Sequence, residues 1–100
     1  MPKIYKYLGI FLLFHAREHQ PIHVHGKYGS FETKAEFIIK NGLIVEIKYT
    51  KVSGKLPLKP PQLKDFEIFV EHYKDQIIQK WIDYFVFNKP VELEEINVRL

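Results

Sequence analysis

The sequence contains no cysteine and no long apolar run. The absence of cysteine excludes disulfide bonds, thiolate zinc sites and cysteine nucleophiles, so any metal ion must be held by His, Asp or Glu. No segment approaches the roughly 18 consecutive apolar residues of a membrane-spanning helix. The apolar run at 10–14 is too short for the core of a signal peptide, and no small-residue cleavage site follows it. These absences predict a cytoplasmic protein that does not interact with membranes.

The residues that are present support one packed globule. Apolar side chains make up 46% and aromatic side chains 15% of the 100 residues, which is sufficient for a single domain over 1–100. The formal net charge of +3 inclines the protein slightly towards acidic partners. Lysine and glutamate alternate along the chain, so the basic block typical of dedicated nucleic-acid binders is missing.

The segment 1–58 carries mainly β signals. Residues 4–8 and 10–15 predict two strands around Gly9, because Ile, Tyr, Phe and Leu dominate both segments. A loop is expected before Pro21, since the residue that precedes a proline avoids helical backbone angles.

A second hairpin is predicted from the alternating segments 31–39 and 43–49. The apolar faces of the two strands coincide when Ile39 lies opposite Leu43, and this pairing leaves a three-residue loop. A two-residue Asn-Gly turn would shift the register by one and turn one apolar face outward. We therefore expect the three-residue loop.

A long helix is predicted over 60–87. Apolar residues recur at three- and four-residue steps from Leu63 to Phe85, prolines occupy its first turn, and Asn-Lys-Pro follows its last turn. About 25 helical residues span ~38 Å, whereas a strand of about eight residues spans ~27 Å. The aromatic end of the helix therefore needs cover from the tail, 88–100, or from a second subunit.

These elements predict an α+β fold: an antiparallel sheet of four to five strands packed against one long C-terminal helix. The tail, 88–100, is expected to form an edge strand or a dimer contact. A homodimer through the helix 61–87 and this tail is the expected oligomer.

Four of the five histidines lie between His15 and His25. No other segment concentrates groups that titrate near neutral pH or bind metal ions. The alternation of side chains predicts a strand over 23–26 that pairs with the strand starting at residue 31, with His25 opposite Glu32. His23 and His25 would then share the solvent-facing side of the sheet, with Cα atoms ~7 Å apart. His15 is left at a strand end.

One interpretation of this segment is an RNA-handling or phosphodiester-cleaving site. Two histidines can act as general base and general acid, and a cation can stabilise the developing charge on phosphorus. The candidate catalytic residues are His19, His23, His25 and Lys34. The candidate binding residues are Arg17, Glu18, Tyr28 and Glu32, of which the tyrosine could stack on a base.

The alternative from a different class is a metal-binding protein or metalloenzyme. Its imidazole ligands would be His19, His23 and His25, with Glu18 or Glu32 as the carboxylate. Such ligands suit a divalent zinc, nickel or iron ion, and no other cofactor is predicted. A third interpretation makes the histidines structural, and enzymatic activity is left open.

The segment from Glu18 to His25 has the order acidic residue, histidine, proline, His-Val-His. The chain also has a Met-Pro-x-Ile start and a tryptophan, Trp81, in the predicted helix. With these features it resembles a family of small bacterial proteins, domain-of-unknown-function family 4160. The resemblance covers residues 1 to about 86, and many members have a second proline where this chain has Ile22. It implies a short protein partner encoded in the same operon, as in toxin–antitoxin pairs. The function expected is one member of such a pair, which contacts RNA or its partner through an exposed histidine cluster.

Overall fold

A computed structural model describes residues 2–15 and 21–100 of the chain. These residues form six strands and one helix: β1 (Lys3–Tyr7), β2 (Ile10–Leu13), β3 (Ile22–Tyr28), β4 (Phe31–Lys40), β5 (Leu43–Lys51), α1 (Pro60–Phe85) and β6 (Glu94–Ile96). The strands form one sheet of order β5-β4-β3-β2-β1-β6. The predicted α+β class is confirmed. The sheet has more strands than expected because β6 joins it in parallel with β1.

The first hairpin turns where the sequence predicts. Leu8 and Gly9 connect β1 to β2 with φ values of 49° and 81°, the left-handed backbone of a tight two-residue turn. A Cβ atom at Gly9 would lie 3.0 Å from the Tyr28 ring. The turn of the first hairpin therefore packs beside the end of β3.

The hairpin between β4 and β5 differs from the predicted one. Asn41 and Gly42, with φ values of 53° and 77°, form a two-residue turn, so the predicted three-residue loop is wrong. A β-bulge near the turn then places one extra β5 residue in the ladder, and Phe37 pairs with Ile47. The bulge restores the alignment of the two apolar faces that a two-residue turn alone would have lost.

The helix α1 covers one face of the sheet, which we call the inner face. Its start agrees with the predicted boundary and its end falls two residues earlier. Gly26 allows the helix to approach β3 closely, because a Cβ atom there would lie 2.6 Å from the ring of Phe66. The fully or nearly buried residues of the helix are Phe66, Phe69, Val70, Ile77 and Trp81. Over the described ranges, no helix combines the length and the apolar character needed to cross a membrane.

The tail returns from the helix to the far edge of the sheet. Its strand β6 lies beside β1, and the backbone N–H of Leu100 donates a hydrogen bond to Tyr7 Oη at 2.9 Å. Val91, Ile96 and Leu100 pack against the core. Phe87 stays 59% exposed at the end of the helix. The homodimer through helix and tail stays a prediction.

Candidate functional site

The face of the sheet opposite α1, which we call the outer face, carries polar side chains from the central strands. Strand pairing places Leu13, His25 and Lys34 in one row across β2, β3 and β4. The adjacent row contains Phe11, Lys27 and Glu32. Because side chains alternate along each strand, both rows point away from the helix.

The register between β3 and β4 differs from the predicted one by two residues. His25 pairs with Lys34 rather than with Glu32, and His23 pairs with Glu36. The turn between β3 and β4 lies at residues 29–30. A shift of two preserves alternation, so the prediction that His23 and His25 share the outer face is confirmed.

The predicted exposure of these histidines is wrong. His23 is 8% exposed, His25 is 5% exposed and Glu32 is 3% exposed. The strand β3 lies in the middle of the sheet, so side chains of both neighbouring strands flank its outer face. The ring of His15 lies with its centroid 3.8 Å from that of His25. His23 and His25 are therefore buried rather than exposed, and His15 beside them is partly exposed.

Two imidazoles converge on one carboxylate oxygen. Nε2 of His15 lies 3.0 Å from Oε2 of Glu32, and Nδ1 of His25 lies 2.8 Å from the same oxygen. We call these three residues the His–Glu cluster, and their potential ligand atoms all lie within 4.8 Å of one another. An ionised carboxylate only accepts hydrogen bonds, so each of these nitrogens donates to it.

His23 lies beside the cluster with one nitrogen turned towards the backbone. Its Nδ1 donates to the carbonyl oxygen of Pro21 at 2.8 Å, and its ring centroid lies 5.3 Å from that of His25. This bond fixes the orientation of the imidazole. The structure thus places His23 next to the His–Glu cluster, which consists of His15, His25 and Glu32.

The other candidates from the sequence are spread around this site. Lys34 lies in the same row as His25, and its Nζ is 3.8 Å from Oε2 of Glu36. Tyr28 is 39% exposed at the end of β3. Arg17, Glu18 and His19 lie outside the described residues.

His15 is the site residue that the sequence interpretation missed. It follows Leu13 by two positions, and Leu13 pairs with His25. Side chains two residues apart share a face, so pairing β2 with β3 at the sequence level would have placed His15 near His25. The pairing of these two strands was not predicted, and the histidine was left at a strand end.

A pocket of about 310 Å³ opens beside the cluster. His15 and Glu32 line it on one side, while Phe11 and Leu13 of β2 provide an apolar wall. Lys3 and Lys27 also line it, as do the turn residues Gly9 and Gly29. The cluster therefore faces a cavity large enough for water or a small molecule.

Comparison with known proteins gives one match. Residues 9–82 match the family model described as a domain of unknown function (DUF4160), and this segment contains all three residues of the His–Glu cluster. No curated protein and no solved structure matches the chain. Because the family model covers well over half of the sequence, the chain belongs to the DUF4160 family.

Proposed function

We propose that this protein binds a divalent transition-metal ion through the His–Glu cluster, with its remaining coordination positions towards the pocket, as in a metalloenzyme. The observation that carries the proposal is the convergence of two imidazole nitrogens on one buried carboxylate oxygen. This modifies the predicted metal site: His25 and Glu32 remain candidate ligands, whereas His15 takes the place of His19 and His23 as the second imidazole.

The distances within the cluster suit a common metal ion. Zinc lies ~2.0–2.2 Å from nitrogen and oxygen ligands, so two ligand atoms of a tetrahedral site are ~3.3 Å apart. The two N···O separations of 3.0 and 2.8 Å are close to this value. All three potential ligand atoms lie within 4.8 Å of one another, so side-chain rotations would bring them around one ion.

The surroundings of the cluster favour a cation at this position. Glu32 is 3% exposed, and its carboxylate accepts hydrogen bonds from two imidazoles; a cation held by the same three side chains would compensate the buried charge more strongly. His25 and Glu32 lie on paired central strands, β3 and β4, which hold ligands more rigidly than loops do. Two nitrogens and one oxygen suit zinc, nickel or iron(II).

A site with three protein ligands keeps a position for water or substrate. A metal ion held there would supply Lewis-acid chemistry at the side of the pocket. His15, His25 and Glu32 would hold the ion at the side of the pocket, and Phe11 and Leu13 line the same pocket. Hydrolysis of a small substrate is the reaction class that fits such a site best.

Zinc titration of protein purified without an affinity tag tests the proposal. The protein is stripped with a chelator and titrated against a coloured competing indicator. We expect one equivalent to bind with Kd of ~1 μM or lower, and Glu32→Gln and His15→Ala to weaken it by at least ~10-fold. The matched control is His72→Ala, which removes an exposed helical histidine. Binding of less than ~0.1 equivalent by the wild-type protein, or equal binding by all variants, would contradict the proposal.

A second candidate function is supported by the free edge of the sheet. Strand β5 lies at one edge of the sheet and, among the described residues, pairs only with β4. Two of its residues, Leu43 and Val45, are 69% and 54% exposed. Such an edge suits the addition of a strand from another protein. We propose that the operon-encoded neighbour binds here in the cytoplasm, as in the toxin–antitoxin-like pair that the sequence predicts.

Co-expression with that neighbour tests the second candidate. We expect the two proteins to co-purify at equal stoichiometry, and growth arrest caused by one of them to be relieved by the other. Val45→Lys should abolish co-purification, whereas Lys64→Gln on the exposed side of α1 should not. Independent migration of the wild-type proteins would contradict it, and RNA recovered with the pair would identify the target.

A further inference from the structure

The pocket beside the His–Glu cluster has features that metal binding alone does not require. Two of its lining residues, Lys3 and Lys27, come from β1 and β3 and are not metal ligands. A metal site needs neither cationic nor apolar walls. These walls point to a ligand that occupies the pocket next to the metal position.

The charge of the pocket favours an anion. Among residues 2–15 and 21–100, neither Lys3 nor Lys27 forms an ion pair. The single carboxylate of the pocket, that of Glu32, already accepts hydrogen bonds from two imidazoles. Lys3 is exposed and Lys27 is half-buried, and two ammonium groups against one carboxylate give the lining of the pocket a net positive charge, which attracts a negatively charged ligand.

One of the lysines is held in place by an aromatic ring. Nζ of Lys3 lies 4.3 Å from the centroid of the Phe11 ring, a cation–π distance. This contact keeps the ammonium group over the pocket wall at little further entropic cost on binding. The cationic side of the pocket is thus partly preorganised.

The size and walls of the pocket limit the ligand to a small molecule. Its volume of about 310 Å³ lies at the lower end of the range for small-molecule sites. Phe11 and Leu13 give an apolar surface, and Gly9 and Gly29 contribute no side chain to the cavity. A folded RNA or a peptide segment would not fit within it.

We propose that this pocket binds a small organic anion whose carboxylate or phosphate group lies between Lys3 and Lys27 and whose apolar body lies against Phe11 and Leu13. The inference deepens the proposed function and rests on it for the reaction, because the metal ion would act on this ligand. The two lysines and the apolar wall are present without a metal, so ligand binding can be measured separately.

The test uses the full chain, stripped of metal, and three probes of similar size. Phenyl phosphate and benzoate carry the two kinds of anion, and benzyl alcohol is the neutral control. Binding is followed by calorimetry and by the NMR shifts of residues lining the pocket. The variant Lys3→Gln/Lys27→Gln is compared with Lys40→Gln/Lys64→Gln, which removes two exposed lysines elsewhere.

We expect both anions to bind more tightly than benzyl alcohol, with the tighter one identifying the source as carboxylate or phosphate. The Lys3→Gln/Lys27→Gln variant should weaken anion binding by at least ~10-fold, since each charge-assisted hydrogen bond is worth more than a neutral one. The Lys40→Gln/Lys64→Gln variant should bind like the wild type.

The inference is overturned if neither anion binds below ~10 mM, if benzyl alcohol binds equally well, or if both lysine variants bind alike. These results are independent of the metal titration. Anion binding by a protein that takes up no zinc would contradict the proposed function and leave this inference standing. Zinc binding without anion binding would do the reverse.

Discussion

The two faces of the sheet bury different kinds of side chain. The inner face packs apolar residues such as Val24, Ala35 and Phe37 against α1, and each of them is at most 1% exposed. The outer face buries His25 and Glu32, and no helix from the described part of the chain covers them. Apolar burial stabilises a fold directly, whereas buried polar groups must be compensated by partners. The inner face therefore explains why the chain folds, and the outer face is where we propose that its chemistry lies.

The largest expected effect is on the inner face. Phe66 is fully buried and lies over Gly26. Phe66→Ala should lower the free energy of unfolding by ~3–5 kcal/mol, because it leaves a cavity between α1 and β3. Urea denaturation monitored by circular dichroism measures this.

Gly26→Ala provides a check on the same contact. Its new Cβ would overlap the Phe66 ring, and we expect a loss of ~1–3 kcal/mol. In the Phe66→Ala background that loss should shrink, because the ring that causes the overlap is gone. Equal effects of Gly26→Ala in both backgrounds would mean that the close approach of helix and strand is not what requires glycine here.

The next effect is on the outer face. Glu32→Gln removes the charge that accepts two imidazole hydrogen bonds, and we expect the metal-free protein to lose ~1–3 kcal/mol. Glu36→Gln on the same strand and face is the matched control, because Glu36 is more exposed. A loss no larger than in this control would argue against the buried carboxylate being charged.

Zinc should affect the two faces differently. At a zinc concentration of ~100 Kd, ligand binding adds ~2.7 kcal/mol to the unfolding free energy. We expect the wild type and Phe66→Ala to gain this equally, and Glu32→Gln to gain almost nothing. Thermal unfolding with and without zinc measures both. A full gain in Glu32→Gln would place the zinc site elsewhere.

A smaller effect concerns Tyr5 on the inner face. Burial, together with the nearby negative charge of Glu94, raises the pKa of its hydroxyl above the usual value. In the unfolded chain the hydroxyl ionises near pH 10. The contribution of protonated Tyr5 to the free energy of unfolding is therefore complete below that pH and is lost as the pH rises above it. Tyr5→Phe should reduce this alkaline loss by up to ~1.4 kcal/mol per pH unit. Urea denaturation of the wild type and of Tyr5→Phe at a series of pH values above ~10 measures this difference, and an equal alkaline loss in both proteins would contradict the prediction.

The smallest effect on stability is expected at the β5 edge. Val45 is 54% exposed, so Val45→Lys should change the unfolding free energy by less than ~0.5 kcal/mol. The same substitution should prevent binding of a partner strand. A large loss of stability in urea would show that this edge belongs to the folding core and not to an interface.

Local patterns in the sequence predicted the inner face well. The three- and four-residue spacing of apolar residues located α1. The turn of the first hairpin, between β1 and β2, was predicted at Gly9. These features depend on residues close together in the chain or on one repeating face.

The outer face was harder to predict because it depends on which strands are neighbours. A register shift of two leaves the alternation of side chains unchanged, so Glu32 and Lys34 were equally consistent with a position opposite His25. The bulge in β5 leaves no mark in local periodicity, and the sequence predicted an edge strand in the tail as one of two alternatives without indicating that it would pair with β1. His15 was missed for the same reason, since only its position beside β3 brings it to the site.

The most direct test of the central claim is the position of a bound metal ion. Crystals grown with zinc would be measured at the zinc absorption edge and an anomalous difference map calculated. We expect a single strong peak ~2.0–2.2 Å from His15 Nε2, His25 Nδ1 and Glu32 Oε2, beside the pocket. A peak held by other residues, or no peak at this cluster at saturating zinc, would contradict the assignment of the outer face as a metal site.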